Sequence, residues 1–133
     1  MSVVTLAITD GPTFEDLTWF SGMTGRQVLE AAYNSMPAPV TSFAYNLEYY
    51  GEQDDLGYLV SMMNGTFDSF NAAQSPYYFW EFIVNGIVQD YGIDNTVIPA
   101  NATVTFSFVP YVPAAKASKA LQAKYKRRLA YAQ

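Results

Sequence analysis

The residues of this chain that could do chemistry are carboxylates, hydroxyls, tyrosines and one block of cations, because histidine and cysteine are both absent. That absence excludes Ser-His-Asp and Cys-His nucleophilic catalysis, thiolate zinc centres and imidazole proton transfer near neutral pH. Paired carboxylates remain as acid and base. They gather in EQDD, where Glu52, Asp54 and Asp55 stand together. The stretch lacks the glycine and the twelfth-position glutamate of an EF-hand loop, so it reads as a solvated acidic loop. No glycine-rich phosphate cradle occurs. The expectation is a non-catalytic chain with no metal site.

The charges divide along the chain. All twelve acids lie between Asp10 and Asp94, and six of the seven basic residues lie between Lys116 and Arg128. Arg26 is the only cation among the acids. An acidic body repels phosphates, so no nucleic acid is expected on it. The basic residues Lys116, Lys119, Lys124, Lys126, Arg127 and Arg128 are the candidates for docking a tail onto an acidic surface.

Aromatic residues are the second signal. Phe, Trp and Tyr make up 17% of the chain, with Tyr the largest share at 11 residues. One reading is that they finish the core and stiffen cross-strand pairs. The other is an exposed aromatic surface for a flat ligand or a partner, with Tyr49, Tyr50, Tyr58, Tyr77, Tyr78 and Tyr91 as candidates.

The elements that must position these groups follow from pattern. SVVTLAI (2–8) is a β-branched run closed by Thr9-Asp10-Gly11-Pro12, and TFEDLTWF (13–20) alternates as its hairpin partner, with Leu17 and Trp19 on one face. Thr24 and Gln27 form a capping box before a helix that carries Val28, Leu29, Ala32, Tyr33 and Met36 on one side and stops at Pro37 and Pro39. FAYNLEYYG (43–51) and YLVSMMNG (58–65) read as strands, and DSFNAAQSP (68–76) as a loop. In YYFWEFIVNGIVQDYGI (77–93), Trp80, Phe82 and Val84 point one way and Phe79, Glu81 and Ile83 the other, and Asn85-Gly86 suits a type I′ turn. ATVTFSFVP (102–110) closes the sheet, with Val104, Phe106 and Phe108 inward. One face of the sheet should be wet and the other covered by the single helix. From Pro113 the chain becomes a basic amphipathic helix with Ala114, Ala117, Leu121, Tyr125, Leu129 and Ala132 on one stripe and every cation but Arg128 off it.

The order strand, strand, a T-x-x-x-V-L-x-A-A helix, a strand, G-Y-x-V-S-x-x-N-G, a Tyr-Trp strand ending in V-N-G, a G-I motif and a final strand resembles the bacterial DUF4430 domain. That domain is similar to the small C-terminal β-domain of transcobalamin and intrinsic factor. The resemblance spans about Val3 to Tyr111 and departs at Ala100-Asn101, where the family usually has Gly-Asp. It implies a β-grasp-like fold and suggests a cobalamin-like ligand.

The sequence thus points to an α+β chain, a β-grasp-like mixed sheet packed on one helix, in two parts: residues 1–112 as the domain and 113–133 as a basic helical tail. The expected role is a binding or interaction module for a small ligand or a protein. The alternative is a structural assembly subunit, virion- or capsid-associated, whose tail docks on a neighbouring acidic body. Neither a basic leader nor an apolar run long enough to span a bilayer is present, so the chain as it stands is expected in the cytoplasm or a virion. Secretion would require a removed leader.

Overall fold

The computed structural model describes residues 2–35, 43–52, 55–71, 74–111 and 118–132, with the side chains of 69–76 and of 128 onward outside the description. Met36, Pro37, Pro39, Asp54, Ala114, Lys116 and Ala117, all named above, fall outside it, as do the side chains of Arg128, Leu129 and Ala132.

Strands β1 (Val3–Ile8) and β2 (Thr13–Thr18) form the expected hairpin, and α1 (Gly25–Asn34) follows. Next come β3 (Tyr45–Tyr49), β4 (Tyr58–Met63) and β5 (Thr66–Phe67), then β6 (Ser69–Asn71), β7 (Gln74–Val84) and β8 (Ile87–Val88). A 3₁₀ turn at Ile93–Asn95 precedes β9 (Thr103–Pro110), and α2 (Lys119–Ala132) ends the chain. The main sheet runs β2-β1-β9-β7-β6, with β8 also on β7, and the smaller sheet runs β3-β4-β5. β1 and β9 are parallel and the other pairs antiparallel. A last strand inserted beside the first, with a helix crossing the sheet between two hairpin arms, is the arrangement of a β-grasp in the α+β class.

Local chemistry explains most of these boundaries. The Thr24 hydroxyl accepts from Gln27 N–H (3.3 Å) and the Gln27 carboxamide accepts from Thr24 N–H (2.9 Å), closing the capping box and satisfying two free donors. Val28, Leu29 and Ala32 are buried against the sheet, where Val4, Leu6, Val104, Phe106, Trp80 and Phe82 meet them. In β2, Asp16 takes a positive φ of 60° at a bulge, so Phe14 and Leu17 both turn inward, opposite Leu6 and Val4. Asn85 and Gly86, at φ 50° and 80°, make the turn between β7 and β8. Asn101, at φ 63°, makes the turn before β9: its carboxamide oxygen accepts from Val3 N–H while its own N–H donates to Val3 O.

Three expectations need correction. Residues 68–76 contain β6 and the start of β7, because Ser69 pairs with Tyr78 and Asn71 with Gln74; pairing to a neighbour supplies the order that the apolar pattern does not show. Phe79, assigned to the wet face, is fully buried, stacked edge-on to Tyr111 and lying under Lys124. Lys124, assigned away from the apolar stripe, is 1% exposed. The last two have one cause. Along the outer edge of β7, β6 pairs as far as Tyr78 and β8 begins at Ile83, so the backbone of Trp80 between them has no strand partner. Asp68 accepts from Trp80 N–H (2.9 Å), and the Lys124 ammonium donates to Trp80 O (3.1 Å) and to Val60 O of the smaller sheet. Lys124 and Asp68 also pair at 3.3 Å. Helix α2 therefore lies along the seam between the sheets, with Ala120, Leu121 and Lys124 as its buried arc.

Removing one member of a buried pair leaves the other charge without compensation, at a cost of about 3–5 kcal/mol. Lys124→Met should lose about that much stability in urea unfolding. Adding Asp68→Asn should recover part of the loss, since the amide oxygen can still accept from Trp80 N–H. A double variant as unstable as the sum of the two single ones would show that the charges do not act as a pair.

Candidate functional site

Helix α2 begins at two side-chain caps: Ser118 Oγ accepts from Leu121 N–H (3.1 Å) and Asp90 accepts from Lys119 N–H (2.9 Å). With Lys124 turned inward, the 100° step of the helix sends positions 119, 122 and 126 to the opposite side and leaves 123 and 127 on the flank next to Ala120. Together Lys119, Gln122, Ala123, Lys126 and Arg127 form one wall of a groove of about 480 Å³. Tyr50 and Leu56, from the β3–β4 connection, form the other.

That second wall is held by a junction between two loops. Gly57 N–H donates to Gly51 O and Tyr50 N–H to Gly57 O, each at 2.7 Å. Asp94 accepts from Tyr58 N–H (2.9 Å), and both Gly92 N–H and the Asn95 carboxamide donate to Asp55 O at 3.0 Å. Gly92 approaches so closely that any Cβ there would strike the Leu56 carbonyl. The G-Y and G-I motifs seen in the sequence are thus the two sides of one contact.

Arg127 is the most constrained cation in the groove. Its guanidinium lies 3.8 Å over the Tyr50 ring and Nη1 donates to Tyr49 O at 2.8 Å. The Tyr50 hydroxyl donates to Glu48, which keeps the ring in place. Lys119 and Lys126 are exposed and take part in no ion pair among the described residues. Glu52 and Asp55 stand exposed on the neighbouring loop.

The six candidate tyrosines fall in separate places. Tyr50 is buried beneath Arg127. Tyr49 and Tyr58 pack together at 5.0 Å, and Arg26 lies 4.5 Å over Tyr58. Tyr77 is half-buried against Tyr125, which stacks on Tyr111 at 4.4 Å. Tyr78 stacks on Phe108 on the other side of the sheet, and Tyr91 is exposed in a loop. Of the tail candidates, Lys119, Lys126 and Arg127 share the groove, and Lys124 belongs to the interior. Sequence reasoning missed Leu56 and Gln122 as groove residues. Gln122 was discoverable, three positions from Lys119 and four from Lys126 on the same helical face. Leu56 was not, because its place depends on contacts with residues 92–95.

Burial pushes the Glu81 carboxyl above its ordinary value of 4.5. It raises the Tyr45 hydroxyl too, with Glu30 adding to the shift, and the Tyr111 hydroxyl, with Tyr125 adding. Among the described residues no group of three or more His, Cys, Asp or Glu could hold a metal ion, and no helix is long and apolar enough to cross a membrane. None of the protein-family models matches the chain, and no curated protein matches it.

Gly92→Ala should destabilise the fold more than Gly86→Ala, because the first meets backbone and the second only a positive φ in open space, worth about 1–2 kcal/mol. Equal unfolding midpoints for the two variants would contradict the loop junction. For Glu81, a folded pKa above the unfolded one means that its contribution to stability is fully present below the unfolded value and declines as pH rises through the folded one. Glu81→Gln should therefore gain on the wild type as pH is raised from about 4 to 7, in thermal unfolding across that range. A parallel pH dependence for the two proteins would remove Glu81 as the cause.

Proposed function

We propose that this chain is a non-catalytic binding module that takes an acidic ligand or partner in the groove between α2 and the β3–β4 connection. The observation that carries the reading is the alignment of Lys119, Lys126 and Arg127 on one groove, in a body where Arg26 alone stands among twelve acids. A volume of about 480 Å³ lies within the range of ligand sites, roughly 300–1,000 Å³. Like charge around the groove repels anions elsewhere and leaves this face as the attractive one, which steers encounter and orientation. The resemblance to DUF4430 and to the small domains of cobalamin carriers agrees with a module that binds rather than reacts.

A corrin asks for one broad flat face, and the candidate tyrosines are divided among separate surfaces of the described residues, so the groove is the better-supported site. The assembly reading draws on the same feature. An acidic surface on a neighbouring copy is itself a ligand of the required charge, and the division of charge along this chain favours it.

Poly-glutamate titrated into the full chain should bind at low salt and weaken as salt is raised. Lys119→Glu combined with Lys126→Glu should abolish that binding and leave the unfolding midpoint within about 0.5 kcal/mol, since both side chains are exposed. Binding that survives the double replacement would place the site elsewhere. Light scattering of the same two proteins at low salt reads the assembly alternative: a monomer in both cases argues against it.

A further inference from the structure

We propose that the occupant of the groove is an extended peptide segment carrying two carboxylates four residues apart, and not a compact anion such as phosphate. The proposal rests on the groove being an anion site and adds the length and spacing of what fills it. Lys119 and Lys126 are two helical turns apart on one face, so their stems leave α2 about 10 Å from each other. One tetrahedral anion meets Lys126 and Arg127 at one end and leaves Lys119 alone at the other. An extended chain advances about 3.3 Å per residue and alternates its side chains, so carboxylates four residues apart share one face and stand roughly 13 Å from each other. Their side chains and the lysine stems absorb the difference.

The lining between the charged ends fits the same ligand. Ala123 and Leu56 are half-buried and apolar, which suits a small apolar side chain between the two acids. The two ends are unequal. At one, Arg127 is fixed by the Tyr50 ring and Tyr49 O and presents a planar fork to a carboxylate beside Lys126. At the other, Lys119 is a flexible point charge next to Asp90, whose carboxylate accepts from the Lys119 amide. The segment should therefore be anchored by one acid and selected by the second.

Two blocked peptides of identical composition and charge separate spacing from simple attraction: Glu-Ala-Leu-Ala-Glu and Glu-Glu-Ala-Leu-Ala, titrated into the full chain by calorimetry or NMR, with inorganic phosphate as a third probe. The spaced peptide should bind about fivefold more tightly, the contribution of one additional partly exposed ion pair. Lys119→Gln should erase that difference and leave the melting temperature unchanged. Equal affinity for the two peptides, or tighter binding of phosphate than of either, overturns the peptide proposal and leaves the groove as an anion site. If none of the three probes binds at low salt, both readings are wrong.

Discussion

The seam between the two sheets is the constraint on which the rest depends. Strand edges leave backbone groups that must find partners, and burying them without any costs as much as losing a hydrogen bond. At Trp80 the outer edge of β7 has no strand beside it, and Val60 O of the smaller sheet faces the same gap. Asp68 and Lys124 fill it with the acceptor and donor that a ladder would have supplied. The ammonium is bonded to two carbonyls and paired with a carboxylate, which is the condition under which a buried charge is tolerated. Because Lys124 can meet these partners from only one helical register, the seam also fixes which residues of α2 face outward.

Structure and proposed function are joined at that point. A helix anchored by Lys124 presents Lys119, Lys126 and Arg127 to Tyr50 and Leu56, whereas the same helix rotated by a quarter turn would carry them away from that wall. The opposite wall depends on a second rigid contact, in which Gly92 lies against the backbone of Leu56 and Asp94 accepts from Tyr58 N–H. Neither wall is mainly a matter of surface ion pairs, which contribute little in water. The groove is cationic because the interior fixes the helix that carries its cations, and of these cations Arg127 is held directly, on the Tyr50 ring.

The aromatic content now has a distribution. Phe82 stacks on Phe106 and Trp80 packs tilted against Phe108 along the face toward α1, while Phe79, Tyr111, Tyr125 and Tyr77 join the main sheet to α2. Tyr49, Tyr50 and Tyr58 carry arginines on or beside their rings. Large planar side chains fill space between layers with few rotamers to lose, which suits a small body that needs two helices joined to two sheets.

Local chemistry in the sequence was enough to determine the Thr24 capping box, the Asn85-Gly86 turn, the inward face of β9, that of α1 apart from Tyr33, which is exposed, and the α+β class, because each follows from neighbours a few residues apart. It also showed a basic helix after Pro113, but not that Lys124 would enter the interior or that Phe79 would be covered. Lysine is read as a solvated residue by every local rule. Only the tertiary arrangement placed Asp68, Val60 and Trp80, distant along the chain, around a single point where a cation is needed. Which face of α2 became a groove was decided there too, since a helix has no outward side until something has occupied its inward one.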